Sequence, residues 1–177
     1  MKEGYVIWFT GKHGAGKSTI SVALGQYLKS KKTHFVLLDG DKIRKTISSD
    51  LGYSIEDRNK HMKRVADICK LISENGILSI ASVASPTEES RQYPKSIIKN
   101  FILVYTECPT KVCEERDVKG HYKKAKNKEK GFENFVGIAA SFEEPQNPDI
   151  VLHTDKENPS QSTKKLIGFL KSKKIIK

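Results

Sequence analysis

The chain is short of cysteine, of proline and of long apolar runs, and each shortage closes off a class of protein. Three cysteines among 177 residues cannot build a disulfide framework, so the fold has to rest on a buried core. Cys69 and Cys113 fall on apolar helical faces and read as buried packing thiols, which suits a reducing cytoplasm. The longest apolar runs are strand-sized, far short of a bilayer span. Met1-Lys2-Glu3-Gly4 leads straight into one of them, unlike a secretory signal. There is no linker, low-complexity stretch or internal repeat.

Charge, by contrast, is plentiful. With 30% charged and 37% hydrophobic residues, residues 1–177 suit one soluble domain with a full core. The net charge is +11, concentrated in Lys119 to Lys130 and Lys171 to Lys177. No aromatic residues interleave the basic tail and no nucleic-acid motif accompanies it, so specific nucleic-acid binding is not expected. A small anionic substrate accounts for the first cluster and a solvated helix end for the second.

Residues Gly11-Lys12-His13-Gly14-Ala15-Gly16-Lys17-Ser18 fit G-x-x-x-x-G-K-[ST], the phosphate-binding loop of nucleoside-triphosphate enzymes. Tyr5 to Thr10 before it reads as a buried strand. After Thr19, the residues Ile20, Ala23, Leu24, Tyr27 and Leu28 follow helical spacing. Strand, glycine loop and helix are what the chemistry requires. The glycines let successive N–H groups converge on an anion, and the helix N-terminus adds partial positive charge. Lys17 reaches the β/γ-phosphates and the Ser18 hydroxyl suits Mg²⁺, so ATP and Mg²⁺ are the expected cofactors.

Strand-like and helix-like segments then alternate. Strands are expected at Thr33 to Leu38, Ile77 to Val83, Phe101 to Tyr105 and Ile150 to Leu152. Helices are expected at Lys42 to Ile47, after the cap Ser54-x-x-Asp57, after Ser85-Pro86, at Lys111 to Arg116 and from about Pro159. Gly76 reads as a C′ glycine. Residues 117–148 read as a lysine-rich irregular lid. The pattern predicts an α/β P-loop fold, a parallel sheet of about five strands with helices on both faces.

The chemistry-bearing residues fall at the carboxyl ends of the strands, where such folds bind ligands. Asp39-Gly40-Asp41 follows the second strand. One carboxylate there suits Mg²⁺, and the other suits accepting a proton from an attacking hydroxyl. Asp41 also fits an N-cap, a role compatible with catalysis. Arg44, one turn on, points back toward an anionic acceptor.

At this stage the chain resembles the adenylylsulfate (APS) kinase family from about Gly4 to Asp155. The resemblance rests on Leu38-Asp39-Gly40-Asp41 with Arg44, Asp50 to Ser54 with Glu56-Asp57-Arg58, Ser85-Pro86, Cys113 to Gly120, Tyr122 to Ala125, Phe135-x-Gly137-Ile138, and Phe142 to Pro145 with Asn147-Pro148. It implies an ATP- and Mg²⁺-dependent kinase of a nucleotide 3′-hydroxyl, active in sulfate assimilation and usually dimeric. By the resemblance, Asp41 is the base or orienter and Asp39 supports metal and loop. Arg44 and Arg58 contact the acceptor's phosphate-like group, and Tyr53 and Phe135 sandwich its base. Lys119 belongs to the closing lid. Ser85 matches a serine described as a phosphoserine intermediate, although it also fits an N-cap.

The departures cluster on the acceptor side. Lys42, His61 and Glu88 stand where the family usually has asparagine, asparagine and arginine. His61 reads either as an acceptor contact or as an exposed helical residue, and Glu88 either as a reversal of charge in the acceptor shell or as a capping-box partner of Ser85. Two acceptors follow: APS, or cytidine diphosphoramidate, taken by a specialised relative in capsule biosynthesis. A nucleotide-binding regulatory protein without turnover is the non-enzymatic alternative.

Overall fold

The structure, a computed structural model, describes residues 2–117, 119–129, 131–132 and 135–177. Val118, Lys130, Glu133 and Asn134 of the expected lid lie outside the described residues.

Alternation along β1 (Val6–Thr10) decides how the layers form, because successive strand side chains point to opposite faces. Ile7 and Phe9 pack with Ile20, Leu24 and Leu28 of α1 (Lys17–Ser30) and with Leu166 and Leu170 of α7 (Pro159–Ser172). Val6 and Trp8 face the other way, onto Met62, Val65, Ala66 and Cys69 of α3 (Ile55–Glu74). Helices therefore cover both faces, as expected. Around β1 lie β2 (Phe35–Asp39), β3 (Leu78–Ser82), β4 (Phe101–Glu107) and β5 (Ile150–His153), all parallel, in the order β2-β3-β1-β4-β5. The connection from β1 passes over β3 to the edge strand β2, while β4 lies on the other side of β1. That reversal of direction opens a crevice at the carboxyl ends.

Local signals held where they were local. Ser54 accepts from the Asp57 backbone N–H and caps α3, and Gly76 follows that helix at φ 77°. Three expectations need correction. The helix α2 runs Gly40–Lys45 rather than from Lys42, and its cap is Asp39, not Asp41. The strand ends directly in the helix, so the capping position moves two residues upstream. The helix α4 (Glu88–Ile97) is capped by Thr87, which shares a capping box with Ser90, so neither Ser85 nor Glu88 has the predicted capping role. The lysine-rich lid is not wholly irregular: after α5 (Thr110–Arg116) it contains α6 (His121–Lys126), which buries Tyr122 and Ala125.

Candidate active site

The loop after β1 turns through left-handed backbone at Gly14 (φ 77°) and Gly16 (φ 88°). A side chain at Gly14 would run into the Cys113 carbonyl at 2.5 Å, so glycine is needed there for space as well as for conformation. Lys17 donates to the carbonyls of Gly11 and Lys12, each at 2.7 Å, which folds its ammonium back over the loop. Burial pushes its pKa down to about 8. An arriving polyphosphate would raise it again.

Facing the loop is the β2–α2 turn, whose two carboxylates have divided their tasks. Asp39 Oδ1 accepts from the N–H groups of Asp41 and Lys42, while Oδ2 lies 3.4 Å from Ser18 Oγ. Ser82 Oγ is also 3.4 Å from Ser18 Oγ. These hard oxygen donors suit Mg²⁺, which is held by one or two carboxylates together with substrate phosphates. Among the described residues no group of three or more His, Cys, Asp or Glu side chains forms a metal cage, so phosphate oxygens would have to complete the coordination.

Asp41 is free of capping duty and accepts from Lys119 Nζ at 2.5 Å. Burial alone would raise its carboxyl, but the hydrogen bond and charge of Lys119 hold it below the usual range. It is thus ionised at neutral pH.

Arg44 and Arg58 both lie close to the Tyr53 ring, with guanidinium carbons 5.0 and 5.6 Å from its centroid. Arg44 donates to the Gly52 carbonyl at 2.7 Å and Arg58 Nε to the Tyr53 carbonyl at 3.1 Å. Each therefore has its backbone partner on the stretch that carries the ring. Burial lowers both pKa values, and for Arg58 the neighbouring Arg44 lowers it further. Two cations held side by side in a partly desolvated wall are suited to an anionic ligand.

His61 is not an exposed helical residue. It is 3% exposed, its Nδ1 lies 3.0 Å from Ser48 Oγ, and it is hydrogen-bonded to the Gly40 backbone. Burial, with Arg44 nearby, pushes its pKa down to about 4.

Ser85 is buried at φ 33°, strained for a residue with a Cβ. Its hydroxyl accepts from Trp8 Nε1 at 3.1 Å and donates to Thr10 Oγ1 at 2.9 Å. With both functions engaged, that hydroxyl is spoken for within the protein. Sequence reasoning missed the group that holds this turn: Arg91, 2% exposed, which donates to the Ser85 carbonyl at 2.8 Å and pairs with Glu88 at 2.9 Å. Glu88 is thereby neutralised. Its pair with Glu88 follows ordinary i,i+3 helical spacing, but no local pattern marks its bond to the Ser85 carbonyl, which lies on the turn before the helix. Tyr122 was legible as a motif residue but without a role; it donates to the His13 carbonyl at 3.0 Å and so ties α6 to the phosphate loop.

Together these residues line a crevice of about 460 Å³ that contains His13, Lys17, Ser18, Asp39, Asp41, Arg44, Tyr53, Arg58, His61, Ser85, Lys119 and Phe135. The predicted donor and acceptor residues therefore converge on one site.

The sequence profile of the adenylylsulphate kinase family matches residues 3–153. The chain belongs to that family. It is 42% identical over 175 residues to an adenylyl-sulfate kinase of Halothermothrix orenii, covering 99% of this chain and 94% of that one. A Clostridium acetobutylicum adenylyl-sulfate kinase is 41% identical over 176 residues, covering 99% and 87%. The Mycobacterium tuberculosis APS kinase solved with AMPPNP and APS superposes with a TM-score of 0.89 at 32% identity, covering 97% and 99%. As a member of the adenylylsulphate kinase family, the protein is an ATP-dependent kinase with a hydroxyl group as acceptor. Among its described residues no helix is long and apolar enough to cross a membrane.

Proposed function

We propose that this kinase transfers the γ-phosphoryl group of ATP to the 3′-hydroxyl of APS, giving 3′-phospho-APS. The observation that carries the proposal is the Asp41 carboxylate, ionised and facing the phosphate loop across a crevice whose other wall is the Arg44–Tyr53–Arg58 stack.

In this reading the loop N–H groups and Lys17 hold the ATP phosphates, and Asp41 accepts or orients the proton of the attacking hydroxyl. Arg44 and Arg58 hold the acceptor's phosphosulfate, and Tyr53 contributes to stacking its base. Ser18 and Asp39 would hold Mg²⁺ together with the phosphates, and the ion would neutralise charge on the transferred group. Lys119, now on Asp41, is placed to transfer to a phosphate oxygen when substrates enter. Ser85 is outside this list, because in-line transfer needs no covalent step and its hydroxyl is already engaged. A homodimer is the assembly we propose, from the family resemblance.

One observation favours a second acceptor. His61, standing where the family usually has asparagine, is committed to Ser48 and the Gly40 backbone, so it lacks an amide's paired donor and acceptor for a ligand. That change in the acceptor wall is the observation behind the second reading, with cytidine diphosphoramidate as acceptor.

The test is ADP release from Mg-ATP, comparing APS with cytidine diphosphoramidate. Turnover dependent on APS supports the first reading, and turnover on the cytidine compound with APS poor replaces it. ATP hydrolysis indifferent to either acceptor overturns both.

A further inference from the structure

The resemblance assigns one face of the acceptor's base to Phe135, yet Phe135 is 3% exposed. His13 stacks on it, with centroids 4.9 Å apart and planes 29° apart. Tyr122 and His121 meet it nearly edge-on, at 81° and 80°. One face of the phenyl ring is therefore already taken by an imidazole from the phosphate loop, and the ring as a whole is closed off.

That imidazole is held from several sides. Phe135 supports its face, His121 lies against it edge-on with centroids 5.5 Å apart, and Tyr122 fixes its backbone carbonyl at 3.0 Å. Burial and the neighbouring Lys17 ammonium keep it neutral. Unlike Phe135 it is only half-buried, and it lines the crevice with Tyr53, Arg44 and Arg58. The loop motif demands no particular side chain at this position, since phosphate is held there by backbone N–H groups.

We propose that His13, rather than Phe135, is the ring on which the acceptor's base stacks, so that a donor-loop residue sets acceptor specificity. Phe135 then acts as a positioning residue beneath it. The interposed ring removes one van der Waals thickness, about 3.5 Å, from the base slot. This inference rests on the nucleotide-kinase reading above.

The experiment is steady-state kinetics on the full chain and on His13→Ser and His13→Phe, with the KM for ATP and for the acceptor measured separately. The acceptor is whichever of APS and cytidine diphosphoramidate the unaltered protein turns over. Loss of one stacking ring predicts an acceptor KM roughly tenfold higher in His13→Ser, with the ATP KM and kcat within about twofold. His13→Phe keeps a ring and is expected within about threefold of the unaltered protein. An acceptor KM unchanged or lowered in His13→Ser would make His13 a plug over Phe135 and overturn the inference. So would an equal rise in both KM values, which would place the role on the ATP side. Silence of the unaltered protein on both acceptors is a different result and overturns the underlying reading instead.

Discussion

Lys17 and Asp41 share one crevice, but the two halves that supply them are held together differently. The donor half is a contiguous loop, Gly11 to Ser18, whose geometry comes from glycine backbone and whose lysine is anchored on its own carbonyls. The acceptor half is assembled from the β2–α2 turn, the Tyr53 loop, α3 and Lys119, and depends on side chains meeting across distant stretches. Where phosphate is concerned, the first design tolerates changes at its variable positions, because backbone does the binding. The second can be retuned one side chain at a time: of the departures, His61 lines the crevice, whereas Glu88 is paired with Arg91 on α4.

The largest effect should come from the carboxylate where the halves meet. Asp41→Asn keeps the shape and removes the base, so kcat is expected to fall about a thousandfold while the KM for ATP changes only a few-fold. Steady-state kinetics decides this; a kcat within about tenfold of the unaltered protein would move the base elsewhere.

Next is Arg91, which belongs to neither half but clamps the turn between them. Arg91→Leu would leave the Ser85 carbonyl without its buried donor and the Glu88 carboxylate without its partner, a loss of roughly 2–3 kcal/mol. In a chain of this size that lowers Tm by about 5–10 °C. Calorimetry on Arg91→Leu and Arg91→Lys should show the lysine variant recovering part of the loss, since it can keep one hydrogen bond.

The same contrast explains what the sequence could and could not reveal. The phosphate loop, α1, the Ser54 cap and Gly76 were legible because each is decided within a few residues. Ser85 was not, because its burial depends on Trp8 and Thr10, 77 and 75 residues away. The cap on α2 was misplaced by two residues because the strand's end, fixed by pairing with β3 through Asp39 and Ser82, is a tertiary fact. The helix α6 was hidden among lysines: it buries only Tyr122 and Ala125, and its first N–H groups are received not by its N-cap residue Gly120 but by Asp117, three residues earlier. The crevice as a whole was legible, whereas the covering of Phe135 by His13 was not.

A smaller effect separates the halves by pH. His61 titrates at about 4 when folded, against an ordinary value of 6.5. Between those values the unfolded chain binds a proton that the folded chain refuses, so stability falls as pH drops from about 6.5 to 4. Replacing the imidazole by His61→Asn should flatten that slope by an amount of order 1–3 kcal/mol. Urea titrations at pH 7 and pH 4.5 measure it, and an unchanged slope would mean that His61 is as readily protonated folded as unfolded.

The smallest change in stability, and the sharpest test of the lid, is expected at Lys119. Its pair with Asp41 is half-exposed, with side chains 53% and 45% accessible, so Lys119→Met should cost less than about 1 kcal/mol of folding free energy. The consequence for chemistry is larger, because Lys119 is what outweighs the burial that would otherwise raise the Asp41 carboxyl. Without it the carboxyl pKa rises, and the acid limb of kcat/KM, which requires ionised Asp41, moves to higher pH. A pH–rate profile with an unmoved acid limb would mean that Lys119 only covers the crevice. A moved limb with an unchanged Tm would show that the lid, although anchored to the donor loop through Tyr122, acts on the acceptor half by keeping its base charged.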